Sequence, residues 1–93
     1  MEPDRMPIGH DLSMLLDAAC IAARFDHVTA AQLQRRVRVG FVKAGRLVLL
    51  LEQEGLIVRT RVAGRFRSLI GPGELSAALE RIREAAAKEN ADA

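Results

Sequence analysis

The sequence predicts a mainly helical α+β domain: a winged helix-turn-helix with one helix added at the C-terminal end. Three observations carry that reading. Two helical patterns meet at the turn Arg38-Val39-Gly40. A β-branched hairpin pattern with Ala63-Gly64 at its centre follows at once. Gly71-Pro72-Gly73 then separates the hairpin from a final amphipathic stretch. At 93 residues, 49% apolar and 28% charged, the chain suits one domain with one modest core and not bulk disorder.

Residues 1–9 hold Pro3, Pro7 and Gly9 and read as a flexible leader. Residues 10–71 read as the winged-helix DNA-binding unit, and 72–93 as a C-terminal helix for packing or dimerisation. Asp11 or Ser13 can cap a first helix running to about Phe25, with Leu12, Leu15, Leu16, Ala19 and Ala23 towards the core. Asp26-His27 breaks it, and His27 packs or caps in the turn. Thr29-Ala30-Ala31-Gln32 is a capping-box pattern, in which Thr29 and Gln32 satisfy each other's free amides. It starts a short second helix, about Ala30 to Val37. Gly40 is expected to supply the positive φ of the turn.

A third helix is expected from about Phe41 to Glu54, ended by Gly55 as C-cap. At ~100° per residue, Ala44, Leu47, Val48 and Leu51 face inward. Val42, Lys43, Arg46, Leu49, Leu50 and Gln53 form the outward set. Strands are expected over Leu56–Val62 and Arg65–Ile70. Loop length decides where the four wing arginines point. A two-residue loop separates Arg59 and Arg61 from Arg65 and Arg67. A three-residue loop, Val62-Ala63-Gly64 with a left-handed Gly64, opposes Arg61 to Arg65 and Arg59 to Arg67 on one face. Like charges so opposed repel, and a phosphate backbone would offset the repulsion. The last helix runs from Glu74 to about Glu89 with the stripe Leu75, Leu79, Ile82 and Ala86.

Charge is segregated along the chain. Residues 1–34 carry two basic and five acidic side chains, and residues 68–93 three and five. Between them, nine basic residues (Arg35, Arg36, Arg38, Lys43, Arg46, Arg59, Arg61, Arg65 and Arg67) face only Glu52 and Glu54. A basic centre between acidic ends points to nucleic acid, against the plainer reading of an arginine-rich solvated surface. Three Phe and no Tyr or Trp argue against recognition by stacking on single strands.

Other classes fall away. Cys20 is the single cysteine, so there is no internal disulfide, and it reads as a small buried apolar residue. His10 and His27 lack metal-ligand neighbours. Gly71-Pro72-Gly73 lacks the Lys and Ser/Thr of a phosphate-binding loop. No catalytic constellation, cofactor or metal is expected. Apolar runs such as Leu47 to Leu51 stop far short of the ~20 residues of a spanning helix, and the N-terminus lacks a signal-peptide pattern. A cytoplasmic, nucleoid-associated protein, not a membrane protein, is the expectation.

The segment Leu33-Gln34-Arg35-Arg36-Val37-Arg38-Val39-Gly40-Phe41-Val42-Lys43-Ala44-Gly45-Arg46-Leu47-Val48, followed by Leu51-Glu52-Gln53-Glu54-Gly55-Leu56-Ile57, resembles the gamma domain of FtsK-type DNA translocases. The family pattern reads "LQRRxRIGYNRAARLI", then "LExxGIV", and the likeness covers about residues 12–70. The resemblance implies a winged helix that binds a short, polar, G-rich duplex sequence and orients a hexameric motor. It implies that Arg46 matches a DNA-contacting arginine of the recognition helix and that Lys43 replaces an Arg. Arg35, Arg36, Arg38 and Gly40 match the family's turn. The chain departs from the family at Val42, where the family has Asn, and at Leu49, where it has an acid.

The functional expectation is a double-stranded DNA-binding protein, a small stand-alone regulator of transcription or an architectural factor. Val42, Lys43 and Arg46 would read bases. Arg35, Arg36, Arg38, Arg59, Arg61, Arg65 and Arg67 would hold phosphates. Leu49, Leu50, Leu75, Leu79 and Ile82 would form an interface, with a homodimer or partner protein as occupant. The rival expectation is a protein-interaction winged helix that docks through the apolar face of the third helix. A further one is an accessory factor for a motor on another chain.

Overall fold

The capping-box prediction holds at atomic detail in the computed structural model, which describes residues 5–92. Thr29 Oγ1 accepts from the Gln32 amide at 3.2 Å, and the Gln32 side chain accepts from the Thr29 amide at 3.3 Å. This box starts α2, Ala30–Leu33. The helix then widens into a π turn over Gln34–Arg38. Before it come a 3-10 turn, Gly9–Asp11, then α1, Leu12–Arg24, and a two-residue strand β1, His27–Val28. After it come α3, Phe41–Gln53, β2, Ile57–Arg59, and β3, Phe66–Ser68. A second 3-10 turn, Pro72–Glu74, leads into α4, Leu75–Asp92.

The strands make one antiparallel sheet in the order β1-β3-β2. The fold is thus α+β and winged-helix-like, with the expected hairpin. β1 was not visible in the sequence, because two residues carry no alternation. His27 therefore pairs with Arg67 in the sheet instead of capping a turn.

One cluster forms the core. It runs from Leu15, Ala19 and Ala22 of α1 through Leu33, Leu47 and Leu51 to Leu56, Ile57 and Phe66 of the sheet. α1 packs against α3 on one side and α4 on another, so its burial extends beyond the expected stripe to Ala18 and Ile21. Gly55, at φ +81°, ends α3: its amide bonds the Glu52 carbonyl and the Leu56 amide bonds the Leu51 carbonyl. That paired closure is the glycine C-cap the sequence predicts.

Several expectations change. The positive φ of the turn belongs to Arg38 (φ +63°), not Gly40. The chain reverses as it leaves the π turn, and Gly40 follows in extended conformation as the residue preceding α3. Leader residues 1–4 lie outside the described residues. The rest of the leader is fastened, not loose. Ile8 is fully buried, and its amide and that of Gly9 donate to the Glu89 carboxylate at 2.8 and 3.1 Å. Met6 exchanges hydrogen bonds with the Gln53 side chain in both directions, at 2.7 and 2.8 Å. Arg5 pairs with Glu54.

A further correction falls on α3. Leu50, outward by the helical wheel, is fully buried. The leader bonds Arg46, Gln53 and Glu54 along that side of α3, contacts that a helical wheel does not show. Ile82 is also fully buried, and Leu75 and Leu79 are half-buried against the same core, so α4 uses its stripe on α1 within the chain.

Candidate nucleic-acid interface

The turn places three arginines. Arg35, Arg36 and Arg38 are all exposed at the end of the π turn, where cations also suit the negative helix end. The Arg36 guanidinium sits 4.5 Å from the centre of the Phe25 ring, a stacking contact that orients it.

α3 presents a narrower outward line than its wheel suggests. Phe41 is 71% exposed, Val42 84% and Leu49 40%, with Gly45 between them. Glu52, three residues beyond Leu49 on the same face, closes the line at its C-terminal end. Lys43 and Arg46 flank the line, and both turn to Asp11. Lys43 Nζ lies 2.5 Å from Asp11 Oδ1, and Arg46 Nε 2.6 Å from Oδ2. Arg46 also donates through Nη2 to the Pro7 carbonyl. Asp11 is only 5% exposed and is the buried charged residue among those described. Its hydrogen bonds to Lys43 and then to Arg46 hold its carboxyl below the ordinary carboxylate range. Asp11 precedes α1, but its side chain makes no capping bond there. The expected cap role is replaced by this ion cluster. Sequence reading missed it because Asp11 lies 32 and 35 positions from its two partners.

The wing differs by one residue of register. Ile57 opposes Ser68, Val58 opposes Arg67, and Arg59 opposes Phe66. The loop is four residues, Arg61 to Gly64, not three. Thr60 Oγ1 donates to the Arg65 carbonyl at 2.6 Å and accepts from the Val62 amide at 3.2 Å. The Arg65 amide reaches the Val62 carbonyl at 3.1 Å, with Gly64 at φ +81° as the left-handed residue expected there. A one-residue slip sends a strand's side chains to the other face. Arg59 therefore shares the Phe66 face, 5.7 Å from that ring, while Arg67 shares the Val58 face.

The four wing arginines consequently have different fates. Arg59 pairs with Glu52 at 2.8 Å, which raises its already high pKa. Arg65 lies 3.3 Å from His27 Nδ1. Arg61 is exposed at the loop and Arg67 on the outer sheet face. Among the described residues, no acid lies within ion-pair distance of Arg35, Arg38, Arg61, Arg65 or Arg67. Unpaired exposed guanidiniums of this kind can meet phosphate oxygens. Among the described residues no group of His, Cys, Asp and Glu could hold a metal ion, and no helix is long and apolar enough to cross a membrane.

The chain as a whole is similar to known proteins. The chain is 35% identical over 83 residues to the DNA translocase FtsK of Mycobacterium tuberculosis, covering 89% of this chain and 10% of the relative. It is 37% identical over 76 residues to that of Streptomyces coelicolor, covering 82% and 8%. With that of Mycobacterium leprae it shares 32% over 92 residues, covering 99% and 11%. The chain thus spans about a tenth of the length of these relatives. No family model matches it, and no solved structure does.

Proposed function

We propose that the chain, which is similar over 76 to 92 residues to one short segment of FtsK DNA translocases, is a binding module for double-stranded DNA. The N-terminal part of α3 enters the major groove, where a helix fits and base edges are distinguishable. Val42, the most exposed of the large apolar side chains, meets a thymine methyl. Arg46 and Lys43 approach bases from the edge of the helix. Arg35, Arg38, Arg61, Arg65 and Arg67 lie on flanking phosphates. The single observation that carries this reading is that set of exposed arginines without acidic partners among the described residues. Arg59 is left out of the phosphate set because Glu52 already engages it, and Arg36 because its guanidinium lies over the Phe25 ring.

The role that fits is a small regulator or architectural factor at the nucleoid, with no catalytic step of its own. Fluorescence anisotropy of a G-rich duplex and its scrambled version, titrated across salt, tests it. About five phosphate contacts give a log-log slope of about −4 to −5. A shallow slope, or no binding at low salt, overturns the proposal.

One observation favours a second reading. Phe41, Val42 and Leu49 leave an exposed apolar line on the outside of α3. Such a line suits a protein partner or a second copy of the chain. Leu49→Asp would then break an assembly without changing duplex affinity, and unchanged mass and partner capture count against it.

A further inference from the structure

We propose that Asp11 is a positioning residue for base reading, whose buried carboxylate orients Lys43 and Arg46 at the edge of the recognition helix. This rests on the duplex-binding function proposed above and adds a residue from outside the helix-turn-helix and the wing.

The geometry separates this role from simple fastening of the leader. The leader is already held by Met6 on Gln53, by Arg5 on Glu54, and by the Ile8 and Gly9 amides on Glu89. Asp11 is not needed for that attachment, yet it brings two cations of α3 to one carboxylate. The guanidinium is planar and carries five N–H donors. Asp11 takes the Nε donor and the Pro7 carbonyl takes one on Nη2. Three donors remain, on the two terminal nitrogens, at the edge of the plane that matches two acceptors of guanine. Lys43 likewise keeps two of its three donors. Both side chains retain about a third of their exposure, so these donors are not sealed in. A side chain held in this way gives up less rotamer freedom when it meets a base.

The charge balance points the same way. A carboxylate beside a DNA surface weakens attraction to phosphates, so Asp11 works against affinity for duplex in general. Beyond the stability of the fold, what it adds to duplex binding is discrimination and not affinity.

The test compares the wild-type chain with Asp11→Asn, Arg46→Ala, the Lys43→Ala/Arg46→Ala double variant, and that double variant carrying Asp11→Asn. Each is first checked for helical content by circular dichroism. Wild-type protein enriches sites from duplexes with a randomised centre, and every variant is then titrated on the enriched and scrambled duplexes. Asp11→Asn is expected to lower the preference ratio about tenfold, within the range of one bidentate base contact, while scrambled-duplex affinity holds or rises. Asp11→Asn should lower the ratio no further once Lys43 and Arg46 are gone. An unchanged ratio in folded Asp11→Asn, beside a reduced one in Arg46→Ala, overturns the positioning role and leaves DNA reading intact. A further fall of the ratio in the Lys43→Ala/Arg46→Ala background also overturns it, because Asp11 would then act through other groups. Absence of enrichment by the wild-type chain overturns base reading and this inference together, whereas the salt slope on the scrambled duplex still reports DNA binding by itself.

Discussion

Asp11 and Arg46, 35 positions apart in the chain, meet at 2.6 Å between Oδ2 and Nε, and Lys43 shares the same carboxylate. The contact joins the start of α1 to the middle of α3. Its carboxylate is nearly sealed while its cations are half-exposed. Salt therefore screens the pair only in part.

Asp11→Asn is expected to destabilise the protein by about 1.5–3 kcal/mol at neutral pH, the range for hydrogen bonds to charged groups. Because the folded pKa of Asp11 lies below its ordinary 3.8, its contribution is present above that value. It is lost as pH falls through the lower folded value. Thermal melts from pH 7 to pH 2 should show the gap between wild type and Asp11→Asn closing only at the acid end. A gap that stays constant would mean that charge is not what Asp11 contributes.

Arg38→Gly should raise stability by about 0.5–1 kcal/mol, since Arg38 holds φ +63° with a side chain that disfavours it. Arg38→Ala keeps the Cβ and should not gain. In a domain this small the gain corresponds to a few degrees in Tm. The same Arg38→Gly change should weaken duplex binding, because it removes an exposed cation at the turn. Calorimetry and anisotropy on the one variant separate the two effects.

Arg61→Ala should weaken enriched and scrambled duplexes alike and lower the salt slope by about 1. Arg59→Ala should leave the slope nearly unchanged, since Arg59 is already paired with Glu52. Equal losses from the two variants would mean that the ion pair opens on DNA and that all four wing arginines act together.

Ile82→Ala should cost about 2–5 kcal/mol, as for other fully buried large-to-small changes, with no change in solution mass. A small stability loss accompanied by dissociation of a dimer would return Ile82 to an interface role.

The sequence by itself determined the helices, the hairpin and their order, though not the two-residue β1 or the π turn. Local chemistry was sufficient there: the Thr29–Gln32 capping box, the Gly55 helix end, the alternation in the hairpin, and the Gly71-Pro72-Gly73 stop all act over a few residues. The basic centre was equally legible, because charge along a chain is counted without knowing its path. Tertiary structure alone decided which cations are free. Glu52 occupies Arg59 because the turn at Gly55 brings β2 back beside the end of α3, and the four-residue wing loop turns Arg65 and Arg67 to the other face of the hairpin. Asp11 holds Lys43 and Arg46, and the leader bonds Arg46, Gln53 and Glu54, because a segment without periodicity of its own folds onto one edge of α3. A helical wheel tells which side of a helix is apolar. Which of its polar neighbours is already paired depends on contacts between distant segments, and those exist only once the chain has closed on itself.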